Sequence, residues 1–272
     1  MTEAEEKQGV KQERQLALVD GKGAFVARKF SAIFKKIALN SAAHNRSFRI
    51  AGHDYEALLD DMVRIESYAY VRSLVNYNKT KTDTLALAFD DEVKRAANAF
   101  DVDLGDLREK LRTMTGQRLR RSMDEIERRM NKTLAETSGA QLSVEQGRRT
   151  LLRRLKEMGV TASSPGYIDT LVRTHAQIAY NGALWVRTQA DPSVWGYKYW
   201  TRRDERVRPS HRRKHGVTKK KDDAWWKTNW PPNGWNCRCQ PIVIFEKGRE
   251  TQKPADDEQD EGFGFNAGED LL

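Results

Sequence analysis

The sequence has little cysteine and, over most of its length, no proline. Its 272 residues include two cysteines, Cys237 and Cys239, and seven prolines, all at or after Pro165. Two thiols one residue apart are poorly placed for a structural disulfide, which argues against a disulfide-stapled secreted fold. The proline-free first 164 residues leave long uninterrupted helices free to form. Long apolar runs are missing too, and nothing approaches the about 20 residues that cross a bilayer. The opening MTEAEEKQGVKQER is charged and lacks the apolar core of a secretory signal, so a reducing cytoplasm is the expected setting, with no membrane partner. No H-N-H run, carboxylate cluster of a two-metal site, glycine-rich phosphate loop or G-x-S-x-G elbow is present, and no repeat recurs at a fixed period. These gaps argue against the common nuclease, nucleotide-handling and hydrolase designs.

What the chain does have is charge. Charged residues reach 32% against 38% hydrophobic, so the core is modest for the length, and a net charge of +9 favours an acidic partner, most simply nucleic acid. The charge is concentrated: residues 201–221 carry ten Lys/Arg against two acids. This run lies within residues 199–240, which also hold both cysteines, His211 and His215, and five of the seven tryptophans.

Periodicity predicts a mainly α fold: an N-terminal helical region followed by a small α+β module with a short antiparallel sheet. Residues 1–22 read as a polar segment, disordered or loosely helical. Residues 23–160 read as the helical region, with helices over 24–43, 53–77, 82–100, 104–137 and 143–158. The fourth has a narrow apolar stripe suited to packing on one neighbour. ASSPG marks a linker. The module spans 165–246, with a helix over 167–189, a strand dense in β-formers over 194–201 and a second strand over 237–245 expected to pair with it. Pro241 assigns the second strand to an edge or a bulge. Residues 247–272 belong to an acidic stretch expected to be a disordered tail or to dock on a basic surface, the chain's own basic run included.

The central stretch allows several chemistries. His211 and His215 are four apart, and Cys237 and Cys239 two apart, so a two-Cys, two-His zinc site can be built from them. The plainer reading makes the thiols small buried apolar groups and the imidazoles members of a basic loop. Arg202, Arg203, Arg212, Arg213, Lys219, Lys220 and Lys221 can neutralise DNA phosphates. Trp225, Trp226 and Trp230 can stack on bases, although their density next to two strands favours a core. A metal-dependent nuclease centred on His211, with Asp204 and His215, is the enzymatic alternative, and a basic nucleic-acid-binding regulator is another.

Three segments then act together: TLVRTHAQIAYNGALW (170–185), DERVRPSHRRKHG (204–216) and PPNGWNCRC (231–239). Their order resembles the phage Mu F-like minor head proteins, a head-morphogenesis family of tailed bacteriophages. The family pattern has an arginine-threonine helix, an aspartate-arginine-histidine-glycine run and a proline-rich turn ending in C-R-C. Here it falls on Arg173, Thr174, Asp204, Arg206, His211, Gly216, Pro231, Pro232, Cys237, Arg238 and Cys239. His175 stands where that pattern has an acidic residue. The resemblance covers roughly the last 40% of the chain before the acidic stretch. It implies a non-enzymatic virion protein, assembled in the host bacterial cytoplasm and present in several copies at or near the portal vertex. Its implied partners are the portal or major capsid protein and packaged double-stranded DNA. Some relatives carry toxin domains beyond this module, and none is expected here. A buried Arg173–Asp204 ion pair is expected to link helix and loop.

Overall fold

The computed structural model describes residues 2–44, 46–77, 89–139, 143–161, 166–202, 204–247, 250–251 and 258–272. In order they form α1 (Glu3–His44), α2 (Gly52–Tyr77), α3 (Phe89–Ala99), α4 (Leu104–Gly139), α5 (Val144–Glu157), α6 (Gly166–Gln189), β1 (Gly196–Trp200), α7 (Pro209–Lys214), β2 (Thr218–Lys220), α8 (Trp225–Asn229), β3 (Gln240–Ile244) and α9 (Ala267–Leu271). The fold is mainly α with one small antiparallel sheet, as the periodicity predicts. No helix among the described residues is long and apolar enough to cross a membrane.

The chain divides into two compact units, and the division does not follow the segment boundaries expected at residues 22, 160 and 246. One, the helical unit, comprises Asp20–Arg64 and Arg112–Val172; the other, the sheet unit, comprises Met1–Val19, Ile65–Leu111 and Arg173–Leu272. Helices α1, α2, α4 and α6 each contribute residues to both, so no single cut in the sequence separates them. Residues 162–165 of the expected linker and 82–88 of the expected third helix lie outside the described residues.

In the helical unit, α4 buries Thr115, Leu119, Met123, Ile126, Met130 and Thr133, a single stripe at threes and fours. Phe30 packs edge-on against Phe34, and Phe34 at a tilt against Phe48, with ring centroids 5.8 and 6.5 Å apart. Among the described residues the segment between α1 and α2 has no strand partner, and side chains of α4 take up part of its backbone bonding. Asn131 accepts from Phe48 N at 2.7 Å and donates to its carbonyl at 3.0 Å, while Glu127 accepts from Ile50 N at 2.5 Å. Ser143 and Gln146 close a reciprocal capping box at the start of α5.

In the sheet unit the strand order is β2-β1-β3, both pairings antiparallel. Strand β2 and helices α7, α8 and α9 are too short to leave a periodic signal. β3 is an edge strand, which accommodates Pro241 opposite Tyr199. Gly196 lies so close to the Lys219 carbonyl that a β carbon would collide with it. Alternation along β1 splits its side chains between two buried faces. Tyr197 and Tyr199 join Trp185, Trp225, Trp226, Trp230 and Val243 on one, and Trp200 joins Ile242 and Ile244 on the other. The aromatic face is edge-to-face packed, with Trp185–Trp230 and Tyr197–Trp230 centroids each 4.8 Å apart. The indoles are therefore core, as their density suggested.

The first turns of α1 cover the second face, which corrects the expectation of a loose polar segment. Glu5 is 7% exposed and pairs with buried Lys198 at 2.7 Å; Glu6 accepts from the Trp200 indole at 3.0 Å; Gln12 donates to the Pro241 carbonyl at 3.2 Å. Polar composition conceals this role because the polar atoms themselves are the contact. The acidic C-terminal stretch also differs from a disordered tail. Residues 258–272 bury Phe263, Ala267 and Leu271, and they meet the basic run: Lys214 donates to the Glu258 carbonyl at 2.8 Å and Arg208 pairs with Asp260 at 3.2 Å. The docking alternative describes this part of the chain.

Candidate functional site

Pro209 opens α7, where its missing N–H costs nothing, and the helix carries His211 inward. Cys237 and Cys239 flank Arg238 on the approach to β3, so extended backbone turns both thiols to one side. The two sulfurs lie 3.6 and 3.4 Å from His211 Nδ1, and the three polar atoms all fall within 4.8 Å of one another. His211, Cys237 and Cys239 are 2%, 3% and 1% exposed. Cys239 N donates to Cys237 Sγ at 3.4 Å. His211 Nε2, on the other side of the ring, has no hydrogen-bond partner among the described residues.

Burial pushes both thiols up. For Cys237 the Cys239 and His211 side chains overcome that and bring it well below the usual thiol range. Burial and the charge on Cys237 together drive Cys239 well above that range. The Tyr199 and Thr201 hydroxyls lie against Cys239, and Tyr199 also donates to Asn233 at 2.8 Å.

His215 does not join this group. Its Nδ1 accepts from Thr201 N at 3.1 Å, because α7 ends at Lys214 and the backbone leaves helical geometry at His215. Gly216, at φ +86, makes the turn into β2 and donates to the Tyr199 carbonyl at 2.8 Å. The histidines are thus not on one helical face, which corrects the two-Cys, two-His arrangement.

The expected Arg173–Asp204 pair is replaced by another. Asp204 accepts two bonds from Arg238, at 2.8 and 2.5 Å, and that guanidinium holds its carboxyl below the usual range. Arg173 instead donates to Asn236 at 3.1 Å, and Asn236 N donates to Thr174 Oγ1 at 3.0 Å. Asn236 has φ +55, a conformation asparagine tolerates. Asn181 on α6 donates to the Pro231 carbonyl at 3.0 Å, and the Pro231–Pro232 peptide bond is cis. Arg206 is exposed, its N–H bonded to Asp204 Oδ1 at 3.1 Å.

The basic residues divide. Arg212, Arg213 and Lys220 are exposed, Arg213 beside Glu258 at 3.5 Å. Arg202 is exposed and paired with Glu13. Lys219 lies 4.0 Å from Asp223, and Lys221 donates to the Gln189 and Asp191 carbonyls at 3.1 and 3.0 Å. Arg203 lies outside the described residues.

Two buried pairs escaped the sequence reading. His175 meets Glu66 at 2.9 Å with both side chains 1% exposed, and Lys198 meets Glu5. A lysine inside a strand dense in aromatics signals a buried acid, but nothing in the pattern says which one.

A family model described as Phage Mu protein F like protein matches residues 105–242. The putative capsid assembly protein F of Escherichia phage Mu is 30% identical over 113 residues, 35% of this chain and 26% of that protein. The Mu-like prophage FluMu F protein of Haemophilus influenzae is 35% identical over 88 residues, 32% of this chain and 21% of that protein. The chain spans about a quarter of the length of these curated relatives. No solved structure matches it significantly.

Proposed function

This chain belongs to the Phage Mu protein F like family, and on that basis we propose that it acts structurally in the head morphogenesis of a tailed bacteriophage. The observation that carries the reading is the family match over 105–242, which takes in the His211–Cys237–Cys239 knot and the Asp204–Arg238 clamp. The capsid-assembly name of the phage Mu relative supports it. The finer role is a minor head protein at or near the portal vertex, in several copies, touching the portal or major capsid protein. Its exposed Arg212, Arg213 and Lys220 contact packaged DNA without sequence preference, and no catalysis is involved.

The test is particle fractionation. The protein should co-sediment with proheads or finished heads, and its absence from both overturns the reading. DNA binding provides a second arm. Three exposed cations predict that log K falls with log salt at a slope of about −3, equally for unrelated sequences. A sequence preference would favour the regulator instead. Divalent metal should produce no cleavage; a cutting activity abolished by His211→Ala would favour the nuclease. His211 is 2% exposed, which suits holding the fold together better than reaching a phosphate.

A further inference from the structure

We propose that His211 Nδ1, Cys237 Sγ and Cys239 Sγ bind one zinc ion, with a water molecule in the fourth tetrahedral position. Three observations combine. First, zinc–sulfur bonds of about 2.3 Å and a zinc–nitrogen bond of about 2.0–2.1 Å at the tetrahedral angle set sulfur and nitrogen about 3.5 Å apart. The observed separations are 3.6 and 3.4 Å. Second, one ring nitrogen faces two sulfurs at once. A neutral imidazole nitrogen either donates one proton or accepts into one lone pair, so hydrogen bonding accounts for one close contact and leaves the second sulfur against a nitrogen with no further proton or lone pair to offer. An ion between the three atoms accounts for both. Third, the sulfurs have neighbours placed to orient them as ligands. Cys239 N donates to Cys237 Sγ, and the hydroxyls of Tyr199 and Thr201 border Cys239. Partners that donate to a ligand atom orient it and tune its basicity.

Two thiolates and an imidazole select a borderline-soft ion, zinc before magnesium or calcium. No fourth His, Cys, Asp or Glu joins the group among the described residues, and His215 is engaged elsewhere. The ion ties α7 to the approach of β3. The two thiols of one extended segment and one imidazole from a short helix close a loop between positions 211 and 237. Binding requires deprotonated thiols and releases protons as the site fills.

The full-length chain, purified without chelator from zinc-supplemented culture, should carry about one zinc per chain by elemental analysis. His215→Ala should retain that stoichiometry. Cys237→Ser combined with Cys239→Ser should lose it. Should the double variant fail to fold, cobalt(II) exchanged into the wild-type protein decides the matter. A near-ultraviolet thiolate charge-transfer band together with intense visible bands of tetrahedral cobalt is the expected result. Wild-type protein free of zinc and giving no such cobalt bands overturns the proposal. Loss of the metal in soluble, folded His215→Ala overturns the ligand set.

Discussion

In the helical unit the buried side chains are mostly apolar: Phe30, Phe34, Leu58, Met62, Leu119, Met123, Ile126 and Leu155. Asp61 is the one charged residue buried there among the described residues, and its partner Lys29 reaches solvent. The sheet unit buries Glu5, Glu66, His175, Lys198, His211 and Lys214. Its internal pairs join residues far apart in sequence: 193 positions for Glu5 and Lys198, 109 for Glu66 and His175. An apolar stripe accepts any neighbour of suitable volume. A buried charge accepts one partner in one geometry, and removing that partner strands it. The helical unit is therefore tolerant where the sheet unit is selective.

The largest effect should come from splitting a buried pair. Lys198→Ala leaves Glu5 uncompensated and should cost about 3–5 kcal/mol. Replacing both with methionine removes the stranded charge and should restore most of that loss. All seven tryptophans lie within residues 173–272, so their fluorescence reports the sheet unit during urea unfolding, while far-ultraviolet circular dichroism reports helices of both. If the double replacement is as damaging as the single one, packing rather than charge holds that face.

A smaller contrast uses one substitution in both units. Gly9 and Gly116 both lie inside helices, where alanine is favoured by about 1 kcal/mol. At Gly116 a β carbon would sit 3.5 Å from the Tyr55 hydroxyl and 3.7 Å from Leu59, ordinary contact distances. Gly116→Ala should therefore stabilise the protein by up to about 1 kcal/mol. At Gly9 the β carbon would lie 2.5 Å from two ring atoms of the fully buried Trp200. Gly9→Ala should destabilise by about 1–3 kcal/mol despite the better helix former. Chemical denaturation of the two variants checks the sign, and equal signs would erase the distinction between the units.

The same distinction governs what could be read from the sequence. The helical spans 53–77, 104–137, 143–158 and 167–189 lie within two residues of the observed bounds, because one apolar stripe at threes and fours is a local signal. Strand β1 was legible from its run of aromatics, and the indole core from its density. Glu5 and Gln12 were not, because a helix that packs through carboxylate and amide groups looks like a solvated one. Residue type marks the metal candidates, yet it does not carry their geometry. His211 and His215 share a face only if the helix continues, and it stops between them at Lys214. Asp204 is paired, but with Arg238 rather than Arg173, a choice that spacing alone does not make.

The smallest effect separates two carboxyls with similar titration. In the sheet unit, hydrogen bonds from Ser193 and Tyr77 hold Asp191 at about 2. In the helical unit, Glu125 is also brought down to about 2, chiefly by hydrogen bonds from Arg128 and Arg129. Both are depressed, so each contributes stability above its unfolded value near 4, and that contribution disappears as pH falls through about 2. The partners differ in kind. Neutral hydroxyls are insensitive to ionic strength, whereas exposed guanidinium groups are screened as the Debye length shrinks from about 10 Å at 0.1 M salt to about 3 Å at 1 M. Carboxyl titration followed by NMR should show Glu125 rising toward its ordinary 4.5 in 1 M salt while Asp191 stays near 2. A parallel rise in both would mean that the charge of Arg187 matters more at Asp191 than the hydroxyls do.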